Sequence, residues 1–347
     1  FPECHAQAVK YVNRIGVILV GILEIVNSAV ILFELKISIA DAYFKVCILG
    51  KFLDQTFKYL IGFIIILFFI AGITIPTDSI AAGLKEYRLH VYIQLFIFVF
   101  IPAFVFCTTL PFRGRMDSRI LTGLYALACL PTTVSSCIVF TQISGGNVVG
   151  SMFNSAVANI IGIVVTPLLL SFLLRGAGEG MDAGELLRVL FSLGYKMFVP
   201  VAAGQAARVW LKKPVESIKP HLKTVSNLLI IVIIFFSFSK AASNPVFGSY
   251  VRKMLFPFLY LAAAHLIFAA AAYQGGRLLR LPRESRIAAL YTASQKSAAM
   301  GVPFVSTFFA ESPELLGVVL LPVIFYHSFQ LVTAGVIKTL PFIQEDG

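Results

Sequence analysis

Long apolar runs separated by short polar connectors make up most of this chain. Ten runs, at roughly 15–33, 57–75, 90–109, 120–142, 147–173, 188–209, 225–239, 254–274, 287–306 and 315–337, have the length of membrane spans. The pattern predicts an all-α integral membrane protein with ten transmembrane helices. Between the first two runs, "KISIADAYFKVCILGKFLDQTFK" (36–58) places Ile39, Tyr43, Val46 and Leu53 at near-helical spacing among four lysines. That reads as an interfacial amphipathic helix, a poor extra span being the alternative. "RGAGEGMDAGE" (175–185) is a Gly-rich connector between the fifth and sixth runs, near the chain's midpoint. The organisation expected is an N-terminal span plus interfacial helix (1–56), the rest of a first five-span half (57–174), a connector (175–186), a second half (187–340) and a short tail (341–347). The first run contains Glu24 and Asn27 and lacks a small-x-small cleavage signature, so no clean signal peptide is visible.

Polar residues break the apolar pattern at two matching places. The fourth run carries "LPTTVSSCIVFTQ" (130–142) and the ninth "YTASQKSAAMGVPF" (291–304). Each puts hydroxyl residues, a Pro and a Gln inside the fourth span of its half. Unwound helices at corresponding positions of two halves point to a transporter binding site, and irregular backbone at that depth persists only inside protein or along a wet cavity. A single Ser in such a helix more often bonds its own i−4 carbonyl or lets helices pack. Two clusters in register favour function. They nominate Thr133, Ser135, Ser136, Thr292, Ser294, Gln295, Lys296 and Ser297 for substrate or ion binding.

The fifth run opens with "SGGNVVGSMFNSAVANIIG" (144–162). There Asn147 follows a glycine pair and can cap the helix, while Ser151, Asn154 and Ser155 recur at helical spacing, with Asn159 a turn further. A close-packing face and a binding face are both compatible with this pattern. Other polar residues embedded in spans are Glu24, Gln94, His265, His327 and Gln330. Of these, Glu24, His327 and Gln330 are secondary site candidates, and Glu24 is the only acidic residue deep in any span.

Lys296 stands apart. It lies ten positions after Arg286 and fifteen before Glu311, with no other charge between 287 and 310. At ~1.5 Å per helical residue it sits about 15 Å from the nearest flanking charge, near the centre of a ~30 Å hydrocarbon core. A lysine side chain covers roughly 6 Å, too little to reach an interface from there. An intramembrane ionisable residue marks a functional site by default, and its partner is expected to be Glu24, the one deep carboxylate.

Composition agrees with the pattern. Of 347 residues 58% are hydrophobic and 13% charged, about half the charged share of a soluble domain, and mean hydropathy is +0.88. The net charge of +11 resides in connecting loops, as expected for membrane orientation. It leans weakly toward both termini being cytoplasmic, and the aromatics lie in the spans, which excludes a nucleic-acid-binding face. Five cysteines form no CxxC pair and no His/Asp/Glu pair has metal spacing, so neither a disulfide framework nor a metal centre is expected. A Ser–Lys dyad from Ser294, Ser297 and Lys296 is rejected: helical neighbours do not face each other, and no nucleophile elbow exists.

From about 57 to 340 the chain resembles the bile acid:sodium symporter family. The branch most similar holds the animal solute carrier family 10 member 7, bacterial relatives and plant plastid-envelope metabolite transporters. The resemblance rests on "LHVYIQLFIFVFIP" (89–102), "LPTTVSSCIVFTQISGGN" (130–147), "FNSAVANIIGIVVTPLLL" (153–170), "TASQKSAAMGVP" (292–303) and "LPVIFYHSFQL" (321–331). It implies inverted five-helix repeats and broken fourth and ninth helices that cross at mid-membrane. It also implies a core domain, with a panel of helices 1, 2, 6 and 7 moving against it.

The same resemblance implies how this chain departs from sodium-coupled members. In those, one sodium site takes Ser and Asn from the fourth helix, two hydroxyls from the fifth and a Glu from the ninth; here the positions hold Ser136 and Cys137, Ser151 and Ser155, and Tyr291. A second site takes a Gln near the Pro of the third helix, where this chain has Ile97. Gln295 and Ser297 are retained, with Lys296 between them in place of Asn. The function expected is secondary active transport of a small organic anion or metabolite by alternating access, with sodium coupling weak or absent. Lys296 supplies as a fixed charge what relatives supply with sodium, beside helix N-termini that favour an anion. No cofactor is expected; a sodium ion or a proton is the candidate coupling ion. Partners are the anion and membrane lipid, with no nucleic acid and the oligomeric state open. The cell membrane is the expected location, an organelle envelope the alternative. A non-transporting or indirect regulator of ion (calcium) homeostasis on the same fold is the second functional reading. A channel is disfavoured for want of a charged ring, and an enzyme is not expected.

Overall fold

The computed structural model describes residues 60–74, 86–112, 114–176, 184, 191–192, 194–242, 253–309 and 313–344. The first predicted span with Glu24, the interfacial helix and most of the central connector lie outside these residues. Helices follow in order: α1 (Leu60–Thr74), α2 (Tyr87–Leu95), α3 (Ile101–Thr109), α4 (Ser118–Cys129), α5 (Ser135–Ile143), α6 (Val148–Gly176), α7 (Val199–Ala242), α8 (Leu255–Leu278), α9 (Arg283–Ser294), α10 (Ala298–Phe308), α11 (Pro313–Ile337) and α12 (Pro341–Gln344). A π-turn at Phe96–Phe100 joins α2 to α3, and another at Gly194–Phe198 leads into α7.

Among the described residues five helices are long and apolar enough to cross a membrane: Tyr87–Phe112, Val148–Gly176, Tyr195–Phe235, Leu255–Leu278 and Leu316–Ile337. The protein is an all-helical integral membrane protein. The predicted fourth and ninth spans are each broken in two, α4/α5 and α9/α10, at the polar clusters.

The sequence differs from the structure at the sixth and seventh spans. The loop expected between 209 and 225 is helical, and α7 runs unbroken for 44 residues, including Pro214 and Pro220. Glu216, bonded to Arg208 at 2.8 Å and to Lys219 at 3.1 Å, ties the helix across Pro214. Helix α7 packs against α1, where Gly72 and Gly204 allow backbone contact; a Cβ on either would overlap Val201 or Phe69 main-chain atoms. Gln205 and Arg208 of α7 donate to main-chain carbonyls of α1, at Gly72 O (2.5 Å) and Ile73 O (2.9 Å).

The broken helices form the centre. Every residue of α4 from Ile120 to Cys129, of α9 from Ile287 to Ser294 and of α10 from Met300 to Phe308 is buried. Around them α6, α8 and α11 turn apolar side chains such as Phe172, Leu259 and Val332 outward. Thr132, Thr133, Gln295, Lys296 and Ser297 of the breaks are therefore enclosed by protein, as irregular backbone at membrane depth requires.

Candidate functional site

Proline chemistry ends α4. Pro131 disfavours helical geometry at the preceding residue, and Leu130 is extended (φ −66°, ψ 148°). In the other break Gln295 is extended (φ −82°, ψ 151°), and Ser297 caps α10 by accepting from Met300 N–H at 3.2 Å. The two breaks touch. Ser297 N–H donates to Pro131 C=O at 2.9 Å. The Thr133 and Ser136 hydroxyls donate to Gln295 Oε1 at 2.8 and 2.7 Å.

Lys296, 2% exposed, crosses this junction. Its ammonium donates to Leu130 C=O at 2.7 Å, Ala128 C=O at 2.8 Å and Ile97 C=O at 3.2 Å. Three N–H groups meet three carbonyls. Two of these belong to the C-terminal end of α4, the negative end of its dipole. The third arises from the π-turn. Ile101 N–H bonds Phe96 C=O five residues back; the next such bond would run from Pro102 to Ile97, but proline has no N–H. Ile97 C=O is thereby left for the ammonium.

The remaining carbonyls of the α4 break are also matched. Leu127 O accepts from Leu130 N–H (3.1 Å), Cys129 O from Thr166 (2.9 Å) and Thr132 O from Asn159 (3.0 Å). In the other break, Gln330 holds the Lys296 peptide at both ends. Its Oε1 accepts from Lys296 N–H at 2.8 Å and its Nε2 donates to Lys296 C=O at 2.9 Å. Tyr326 OH donates to Ser294 C=O at 2.7 Å, and His265 Nδ1 lies 3.0 Å from that hydroxyl. His327 Nδ1 lies 3.0 Å from Gln330 Nε2.

The α6 residues form a neutral polar seam beside the junction. Ser151 Oγ meets Thr292 Oγ1 at 2.8 Å, and the Cys137 thiol sits among Thr133, Ser151, Ser155 and Thr292. Ser144 Oγ meets Tyr291 OH at 2.9 Å. Asn154 Nδ2 meets Gly150 O (2.8 Å) and His90 Nδ1 (2.9 Å), and Gln94 reaches the same Asn. Asn147 caps α6 through Gly150 N–H (2.8 Å) and donates to Glu86 (2.6 Å), which also accepts from Ser285.

The structure thus gathers Thr133, Ser136, Gln295, Lys296 and Ser297 at the junction, with Gln330 and His327 behind the Lys296 peptide. Ser151, Thr292 and Ser155 line the adjoining seam, and Asn154 and Asn147 lie farther along α6. Ser294 turns back to its own helix, donating to Leu290 O at 2.6 Å, and Ser135 is exposed. Sequence reasoning passed over Tyr326, Thr166 and the Ile97 carbonyl. Pro102, directly after the apolar run 95–101, was the available signal for the last. The ammonium also points to the C-terminal end of α4, not toward helix N-termini. Two buried polar atoms at the junction, Gln295 Nε2 and Thr132 Oγ1, have no hydrogen-bond partner.

A family model, the SBF-like CPA transporter family, matches residues 30–340. The chain belongs to this family. The match starts well before residue 57, so it takes in part of the N-terminal region that showed no clear resemblance. Sodium/bile acid cotransporter 7 of Xenopus tropicalis is 29% identical over 278 residues, 78% of each chain. The zebrafish (Danio rerio) protein of the same name is 28% identical over 282 residues, covering 80% of this chain and 82% of its own. An uncharacterised Pseudomonas aeruginosa protein is 30% identical over 276 residues, covering 78% of this chain and 80% of its own. The chain is a membrane transporter of the bile acid:sodium symporter type, similar to its member 7 branch.

Proposed function

We propose that this transporter moves a small organic anion by alternating access, with the tethered ammonium of Lys296 in place of a coupling sodium ion. The observation that carries the reading is the cage of three backbone carbonyls at 2.7–3.2 Å from Lys296 Nζ. Carbonyl oxygens converging on a positive charge are what a cation site provides, and here the cation is covalently attached. The neighbouring seam of Cys137, Ser151, Ser155, Thr292 and Tyr291 is neutral, and hydroxyls and a thiol without a carboxylate hold sodium weakly. A second cation ~5 Å from the ammonium meets a repulsion of about 3 kcal/mol at an effective dielectric of ~20. Sodium coupling is therefore weak or absent, and a proton takes its place.

The substrate's acceptor atoms bind the unpartnered Gln295 Nε2 and Thr132 Oγ1, near the N-termini of α5 and α10, whose dipoles favour an anion. In this conformation the space beside Lys296 and Tyr326 is about 10 Å³, lined by Ile101, Leu127, Leu261 and Phe268. That is room for one water at most, so this space admits no organic anion. Opening takes the form of movement of a panel containing α1 and α7 against the core, within ten spans arranged as two inverted five-helix repeats in the cell membrane. Among the described residues no group of three or more His, Cys, Asp or Glu could hold a metal ion.

The test is uptake of labelled organic anions into proteoliposomes under an imposed sodium gradient and, separately, an imposed pH gradient. Uptake that responds to the pH gradient and ignores sodium is expected. Strong, saturable stimulation by sodium refutes the tethered-cation reading.

A further inference from the structure

We infer that His327 is a proton-operated latch on the broken ninth span: when neutral it holds Gln330 on the Lys296 peptide, and when protonated it releases it. The argument starts from the orientation of the Gln330 amide. Its oxygen faces Lys296 N–H at 2.8 Å and its nitrogen faces Lys296 C=O at 2.9 Å. A flipped amide would set oxygen against oxygen and nitrogen against nitrogen, so the two backbone groups fix which end is which. Nε2 has a second hydrogen, and His327 Nδ1 lies 3.0 Å away to receive it. Nδ1 must then be an acceptor, and the neutral ring carries its hydrogen on Nε2.

A proton on Nδ1 sets donor against donor. The other polar neighbour of the ring is the backbone of Lys296, so the acceptor available to a protonated Nδ1 is the carbonyl that Gln330 already holds. The carbonyl oxygen can accept two hydrogens, but two donors facing each other at 3.0 Å repel, and the amide that moves is Gln330, which thereby loses its two-point hold on the peptide.

No other described group does this work on the ring. The Lys296 ammonium is engaged by the carbonyls of Ile97, Ala128 and Leu130. Of the helices packed on α11, α4 carries Arg119, Tyr125 and Cys129, α5 carries Cys137, α8 carries Tyr260, Tyr273, Arg277 and His265, the last bonded to Tyr326, and α10 carries no acid or base. The charged residues of α7 lie between positions 208 and 223 and at 240.

The peptide that is released is the one that aims the ammonium. The latch therefore couples protonation of His327 to the rigidity of the break, whether or not the protein is transporting.

Hydrogen exchange of the amides at 295–298, measured by mass spectrometry in nanodiscs and corrected for intrinsic exchange, reads the latch without any transport assay. Wild-type protection is expected to fall by roughly tenfold between about pH 8 and about pH 4, on protonation of the imidazole. In His327→Asn, whose Oδ1 replaces Nδ1 as acceptor without titrating, protection should be the same at both values. In Gln330→Ala it should be low at both. Equal wild-type protection at the two pH values, an equal fall in His327→Asn, or unchanged protection in Gln330→Ala each overturns the proposal.

Discussion

Replacing Lys296 by Met keeps the length of the side chain and removes its ammonium. Three carbonyl oxygens, of Ile97, Ala128 and Leu130, then lose donors at 3.2, 2.8 and 2.7 Å inside the protein. At ~1.5–3 kcal/mol for each bond to a charged group, the gross loss is about 5–9 kcal/mol. Against this stands the dehydration of a buried ammonium, several kcal/mol, which Met does not incur. The net destabilisation is ~2–4 kcal/mol, and at ~2 °C per kcal/mol the melting temperature in detergent falls by about 4–8 °C. Lys296→Ala separates charge from volume, because it leaves the three carbonyls around an open hole. A free ammonium or sodium ion at ~100 mM, binding there with a Kd of ~10 mM, restores about 1.4 kcal/mol, whereas the Met side chain fills the hole and permits no rescue. The assay is thermal unfolding of both variants with and without added salt, choline chloride serving as the ionic-strength control. A Met variant that melts at the wild-type temperature, or an Ala variant indifferent to which cation is present, refutes the carbonyl-cage argument.

Two further outcomes are expected. Cysteines introduced by Ser136→Cys and Ser297→Cys in a cysteine-free background should cross-link with a short reagent, because their neighbours Thr133 and Pro131 bond directly to Gln295 and Ser297; no cross-link in any condition would contradict the contact between the breaks. Asn147→Ala removes the cap of α6 and should cost ~1 kcal/mol, whereas Asn147→Asp keeps a capping oxygen but sets a second carboxylate against Glu86 and should melt lower than the Ala variant. A higher melting temperature for Asp than for Ala would show that the Glu86 contact is unimportant.

The breaks were legible because proline and hydroxyl residues interrupt long apolar runs, and Lys296 stood out because a lone charge in such a run is rare. Asn147 was legible as a cap from its place after two glycines. What Lys296 does was not legible, since its ligands are main-chain carbonyls that every residue type carries. Pro102 was visible, but that it frees Ile97 C=O depends on a π-turn no spacing rule announces. Gln330 and Lys296 lie 34 positions apart in the chain, and only the tertiary fold brings them together. The unbroken course of α7 was hidden by Pro214, Pro220 and four lysines, a composition that reads as a loop until the Arg208–Glu216–Lys219 contacts are known. Ser135 and Ser294 have the residue type of a site without the direction, which periodicity alone does not give.

A counter-ion bonded to the chain changes what a transport cycle can do. A dissolved ion binds on the side where it is abundant and leaves where it is scarce, and that departure supplies work. The ammonium of Lys296 travels with its own backbone and returns with it, so it contributes the same free energy to every forward and backward turn. It can hold the broken helices together in fresh water or in brine, but it cannot drive a solute uphill. On the proposed reading, accumulation draws on a species that does leave, a proton or an exchanged solute, and without one the protein equilibrates its cargo and stops.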